Sequence, residues 1–219
     1  MTLEDIIIPG PRINPGVDAV RKYGSRLVLN NDPATLPARA LMKATGVIKS
    51  VDDIEGPLVT IIDAETNQIP GHVHLGVLAD EAEEVLKAMG FKVWRTHIGG
   101  HMCDGIPMGQ YGMNYSNASK ELIRYQIESD VVAHPTDGIF LVGSCDKIVP
   151  GMAAALGMLN IPGVYIGGGP MLAGEGGLDI VNGPFEDVGK ILAGKMSYEE
   201  AVNRANESCP GYGHCSGYL

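Results

Sequence analysis

From Pro57 onward the chain alternates extended apolar runs with helical segments, and that rhythm leaves few folds open. "GPLVTIIDA" reads as a strand and "LGVLADEAEEVLKAMG" as an amphipathic helix stopped by Gly90. "FKVWRTHI" is a second strand. "NASKELIRYQIESDVVA" is a second helix, with Asn117 or Ser119 as its expected cap. "GIFLVG", "GMAAALGMLN" and "GVYIGGG" continue as strand, helix and strand. Strands that alternate with helices imply right-handed crossovers and a mainly parallel sheet. The fold class is therefore α/β, a single domain with flanking helices and active-site loops at the strand C-terminal ends. "PFEDVGKILAG" and "SYEEAVNRANE" follow as two short helices, the second opening on a capping box from Ser197 to Glu200. The proline-rich residues 1–36 read as irregular, and the domain as 37–219, with a helix around "ARALMKATGV".

At 219 residues the chain is long enough for a substantial core. Its net charge of -10 and lack of a basic run exclude a nucleic-acid footprint. No apolar stretch reaches the ~20 residues of a membrane span, and the first residues lack the pattern of a signal peptide. The expected location is cytoplasmic.

In open α/β sheets ligands bind beyond the carboxyl ends of the strands. The unusual residues of this chain fall there: Asp63 to His74, His97 to Gly112, Cys145 to Gly151 and Gly167 to Gly174. All four cysteines, at 103, 145, 209 and 215, sit in polar or glycine-rich sequence, whereas inert cysteines favour apolar runs. "GSCDK" sets Cys145, Asp146 and Lys147 side by side at a strand-to-helix turn, where helix amides can stabilise a thiolate. Cys103-Asp104 repeats the thiol–carboxylate pair. Two such pairs suggest two neighbouring metals, with soft thiolates for iron or zinc and carboxylates for magnesium, manganese or calcium. Cys209 and Cys215 are too widely spaced for a zinc knuckle, but one of them could complete a three-thiolate set with 103 and 145. His72 and His74 alternate and would share a face on an extended segment; hydrogen bonding suits them at least as well as ligation. "GGGPMLAGEGG" could cradle an anion or be a plain loop.

Six motifs in order, "ARALMKATG", "PGHVHL", "CDGIPMGQYGMNYS", "CDKIVPGM", "IPGVYIGGGPMLAG" and "CPGYGHCSG", resemble the dihydroxy-acid dehydratase / 6-phosphogluconate dehydratase family from Ala38 to Gly217. These are iron–sulfur enzymes that remove water from 2,3-dihydroxy acids or sugar acids to give 2-keto acids. The resemblance implies that Cys145 and Cys215 are cluster ligands and that Asp104 and Asp146 bind a divalent cation, usually magnesium. Lys147 matches the family lysine that becomes a carbamate and bridges to that cation, so it counts both as catalytic and as a metal ligand. Members with a 2Fe-2S cluster have a cysteine where this chain has Gly71, and Cys103 is the expected substitute. Three thiolates would then favour a 4Fe-4S cluster over 2Fe-2S, with one iron open as a Lewis acid for a hydroxyl group.

Family enzymes are more than twice as long as this chain. The remainder supplies another magnesium carboxylate and the serine thought to act as base. The resemblance therefore implies a hydro-lyase that works with a second polypeptide and a small hydroxy-acid substrate, in an oligomer. A non-catalytic iron–sulfur or metal-binding module is the alternative, and a structural zinc domain a third. Relatives commonly read "YSLPSRE" where this chain reads "YSNASKE", so Lys120 replaces a fork-shaped arginine donor.

Overall fold

The computed structural model describes residues 14–99 and 102–215. Its centre is a four-stranded sheet of β1 (Leu58–Asp63), β2 (Lys92–His97), β3 (Gly138–Gly143) and β4 (Gly163–Gly167). The spatial order is β2-β1-β3-β4 and every pairing is parallel, as the alternation predicts. β1 and β3 are interior strands, which explains their nearly unbroken apolar character: Leu58, Ile61, Ile62, Leu141 and Val142 are fully buried.

The connections are helices α3 (Leu75–Ala88), α4 (Ser116–Ala133) and α5 (Ile148–Leu159). The chain steps outward from β1 to β2, then returns past β1 to β3 and β4. Right-handed crossovers therefore put α3 on one face and α4 and α5 on the other. α4 and α5 pack closely because Gly151 has no Cβ; one built there would lie 3.0 Å from Ile123 Cγ2 and the Lys120 carbonyl oxygen. The left-handed residue Asn160 ends α5.

The direction of winding reverses between β1 and β3. Adjacent crossovers there leave toward opposite faces and open a crevice at the strand C-terminal ends. The fold thus fixes the site before any side chain is considered: the loops after β1 and β3 must meet there.

Residues 14–36 depart from the irregular segment expected of them. α1 (Pro15–Tyr23) forms because Asn14 accepts from the Gly16 amide at 2.9 Å and Pro15 opens the first turn. Val17 and Val20 join the main core. Arg21 Nε donates to the Leu159 carbonyl at 2.7 Å and so closes the end of α5. Proline density hid this helix, although the Asn-Pro pair is a helix-start signal. Residues 1–13 lie outside the described residues.

α2 (Leu36–Ala44) covers a smaller core of Leu29, Met42, Ile48 and Leu58. α6 (Glu186–Leu192) and α7 (Tyr198–Glu207) follow the sheet, and Ser197 caps α7 by accepting from the Glu200 amide at 3.1 Å. Neither Asn117 nor Ser119 caps α4. That helix begins at Ser116 without a side-chain cap, and the Ser119 hydroxyl donates to the Ser116 carbonyl at 2.6 Å. Among the described residues no helix is long and apolar enough to cross a membrane.

Candidate active site

β3 ends at Gly143, and two residues later Cys145 adopts a left-handed backbone, with φ of 70°. Such a conformation is uncommon for a side-chain-bearing residue and sharpens the turn into α5. It turns the thiol inward, leaving Cys145 9% exposed, while Asp146 and Lys147 follow at the helix start. The loop after β1 meets this turn through Gly71. A Cβ on Gly71 would lie 2.7 Å from Cys145 Sγ and 3.1 Å from the His214 Cα. The Gly71 amide hydrogen-bonds the Cys145 sulfur.

His72 fixes that meeting. Its Nδ1 lies 2.6 Å from the Ala64 carbonyl oxygen and its Nε2 2.9 Å from that of Ser144, so one buried ring joins the ends of β1 and β3. His74 Nε2 lies 2.6 Å from the Gly168 carbonyl oxygen, and its ring stacks on Tyr212 at 5.1 Å. The two histidines do not share an extended face. Residues 70–72 form a tight helical turn, and each ring holds a different loop.

The chain's last described stretch folds back onto the same crevice. Pro170 and His214 form a parallel bridge, and Gly213 donates to the Pro70 carbonyl at 2.9 Å. Cys215 is thereby brought to Cys103, and the two thiols are hydrogen-bonded to each other. That bond and the Ile106 and Gly105 amides outweigh burial and hold Cys103 down to about 6. Cys215 moves upward as the partner that keeps its proton, with burial adding to the effect. Burial pushes Cys145 up to about 12, reinforced by charge on Cys103 and Asp146. The trio thus holds one ready thiolate and two protons that any metal must displace.

Three thiols around one crevice fit a polynuclear cluster better than a single ion. A tetrahedral zinc site, with Zn–S of about 2.3 Å, needs its sulfurs within hydrogen-bonding range of one another. Among the described residues only Asp63, Glu65 and His97 bring three such donor atoms within 4.8 Å. Asp63 is already engaged there, by His97 Nδ1 at 2.6 Å, Arg95 Nε at 3.4 Å and the Glu65 amide at 3.0 Å. The fourth cysteine, Cys209, borders the same region as Cys215. It has φ of 55°, lines a cavity of about 210 Å³ with Cys215 and Leu172, and is raised by burial and by Asp179.

Beside the thiols, Lys147 Nζ sits 2.5 Å from Asp104 Oδ2 and 2.5 Å from Asp146 Oδ2. Two carboxylates thus converge on one positive centre, an arrangement of oxygens that could hold a cation in place of the ammonium. The Ser116 hydroxyl donates to the other Asp104 oxygen at 2.6 Å. Burial works to raise Asp104, but Lys147, Ser116 and Asp146 outweigh it and leave the carboxyl below its usual value. Burial likewise opposes the charge on Lys147, and the two carboxylates overcome it to raise the lysine. A carbamate on Nζ would replace the ammonium with a third anionic oxygen donor.

All six sequence-predicted residues, Cys103, Asp104, Cys145, Asp146, Lys147 and Cys215, therefore lie in loops that meet at one crevice. Ser116, Ser144 and His214 also belong to it and were not singled out. Ser144 Oγ accepts from the Gly168 amide at 3.2 Å and ties down the glycine loop. A serine one residue before Cys145 could have been suspected; nothing in the spacing of Ser116 points to Asp104.

The chain matches the family described as Dihydroxy-acid/6-phosphogluconate dehydratase N-terminal over residues 56–219. It is 42% identical to the dihydroxy-acid dehydratase of Caldicellulosiruptor bescii over 183 residues, which are 83% of this chain and 33% of that protein. It is 42% identical to that of Moorella thermoacetica over 187 residues, 84% of this chain and 33% of the relative. With the Pyrococcus furiosus dihydroxy-acid dehydratase the identity is 41% over 183 residues, again 33% of the relative. The chain thus spans about one third of the length of the curated relatives it matches, and it belongs to the dihydroxy-acid/6-phosphogluconate dehydratase family as a counterpart of its N-terminal part.

Proposed function

We propose that this chain is one subunit of an iron–sulfur hydro-lyase that dehydrates a 2,3-dihydroxy acid or sugar acid to a 2-keto acid, with a second polypeptide completing the site. The observation that carries this reading is the pairing of two donor sets in one crevice: thiols 103, 145 and 215 beside Asp104, Asp146 and Lys147. The thiols would hold the cluster, 4Fe-4S in preference to 2Fe-2S because residue 71 is glycine. Asp104, Asp146 and a carbamylated Lys147 would hold magnesium. When bound, such metals supply Lewis acidity at the substrate hydroxyls and charge neutralisation at its carboxylate.

The chain's own residues supply the frame. His72 and His74 lock the loops that carry the thiols, and Ser116 aims Asp104. The Gly71, Gly105 and Ile106 amides point at sulfur and favour its ionised form. Protein chemistry offers Lys147 as the group that exchanges an ammonium for an anionic ligand. The family membership supports the reaction class; a cytoplasmic location and an oligomeric assembly belong to this proposal too.

Anaerobic purification from the native source, with iron, sulfide and subunit composition read together, tests it. Iron and sulfide near four per chain, with a second polypeptide, are the expected result. A lone chain without iron would overturn the catalytic reading and leave a metal-binding module for another purpose. Cys145→Ser should abolish cluster binding, and full iron content in that variant would refute the ligand assignment.

A further inference from the structure

The loops that hold the site expose large apolar side chains to solvent on the rim of the crevice. The Ile106 amide faces the Cys103 sulfur while its side chain points into water. Tyr115, directly before the serine that holds Asp104, is exposed, as are Met108 and Tyr111 in the same loop, Tyr111 at 90%. Across the crevice, Leu172 is 82% exposed beside the Cys215 cavity, and Tyr212 is exposed where it stacks on His74. Exposed apolar surface on this scale marks an interaction site. Single scattered side chains would need no explanation, but these six all sit on loops that carry or brace proposed metal ligands.

The donor set beside that rim is also open. Magnesium demands an octahedral shell of oxygens, whereas the chain offers Asp104, Asp146 and Lys147, with Asp146 exposed on its outer side. A partner seated on the rim would cover the apolar side chains and face the open positions of the cation in the same act. The relatives carry about two thirds of their length beyond what this chain spans.

We infer that the rim formed by Ile106, Met108, Tyr111, Tyr115, Leu172 and Tyr212 is the docking face for a second polypeptide corresponding to the remaining two thirds of the dehydratase. The inference rests on the two-chain reading above and adds to it the surface through which the chains meet. The exposed Val77 and Val85 of α3 and Met89 just past its end sit on a helix and its cap, carry no proposed metal ligand and are not assigned this role.

The test uses the complex purified anaerobically from its source, with both subunits sequenced, and compares amide hydrogen exchange in the complex and in the isolated chain. The expected result is a partner similar to the remaining two thirds of the dehydratases. It should slow exchange at least tenfold in residues 105–115, 171–173 and 211–213. Tyr111→Asp and Leu172→Asp should each weaken association at least tenfold without changing the circular dichroism or the iron content of the isolated chain. A partner of that kind that leaves rim exchange unchanged, or binds both variants as well as the parent, overturns the docking face and leaves the two-chain reading standing. A chain that associates only with copies of itself, or with nothing, overturns both.

Discussion

The Cys145 thiol occupies the space that a side chain on Gly71 would need: a Cβ there would lie 2.7 Å from Cys145 Sγ. Gly71 is therefore more than the absence of a family cysteine. It is the wall against which the most buried thiol of the site rests, with the Gly71 amide donating to that sulfur. Gly71→Ala forces the thiol or the loop to move, so iron content after anaerobic reconstitution should fall at least threefold. The clash is confined to one turn beyond the sheet and leaves the strands and helices in place, so the melting temperature should move by only a few degrees. An alanine variant that takes up the parent's iron would show that the thiol does not depend on this contact.

Asp104 is held on both oxygens, by Lys147 at 2.5 Å and Ser116 at 2.6 Å. Removing the carboxylate and removing its guide should separate. Asp104→Asn deletes an anionic donor and should weaken Mn²⁺ binding by tenfold or more, read by electron paramagnetic resonance. Ser116→Ala leaves the charge and loses one orienting hydrogen bond of about 1 kcal/mol, so its loss of affinity should stay within about fivefold. Equal affinity in Asp104→Asn and parent would remove Asp104 from the cation site.

The three thiols should also separate by reactivity with pH in cluster-free protein. Cys103 is held at about 6 by the Cys215 hydrogen bond, so it is mostly thiolate at neutral pH. Its alkylation rate should rise tenfold per pH unit up to about 6 and then level off. Cys145, pushed up to about 12 by burial, should stay unmodified throughout that range. Cys215→Ala removes the hydrogen bond that depresses Cys103 and should move the midpoint upward. Mass-spectrometric mapping after short iodoacetamide pulses between pH 5 and 9 reads all of these, and a Cys103 midpoint near the ordinary thiol value would refute the pairing.

The parallel sheet was legible because strand and helix periods differ and the crossover rule leaves little freedom once they alternate. β1 and β3 were legible as strands through "LVTIID" and "GIFLV", and the structure places both in the interior of the sheet. The site residues were legible for a related reason: thiols and carboxylates side by side at strand ends have few bland roles. What stayed hidden depends on contacts between distant segments. Ser116 is an unremarkable helix-start serine until the loop before it brings Asp104 within 2.6 Å. α1 was obscured by prolines at 9, 11 and 15, although its capping asparagine was in plain view. His72 and His74 looked like an extended pair because alternation is a strand signal; Pro70 instead imposed a helical turn that splits their roles.

Asp137 shows how a residue outside the site can govern the sheet that carries it. Its carboxylate accepts from the Ser25 amide at 2.9 Å, the Ser25 hydroxyl at 2.7 Å and the Leu58 amide at 2.8 Å. One side chain before β3 thus anchors both the start of β1 and the turn after α1. Gly24 is part of the same joint: with φ of 52°, a Cβ there would fall 2.3 Å from the Asp137 carboxylate. Asp137→Ala strands two main-chain amides and a hydroxyl, each costing about 1–3 kcal/mol if left without a partner. Water can reach part of this region, so a net loss of about 3 kcal/mol is expected. Asp137→Asn keeps one acceptor oxygen and should cost about half as much. Urea unfolding of the isolated chain measures both, and the urea slope should stay unchanged because the native fold is the same. If Asp137→Ala unfolds at the parent's urea midpoint, the two segments are held by core packing alone and the carboxylate is incidental.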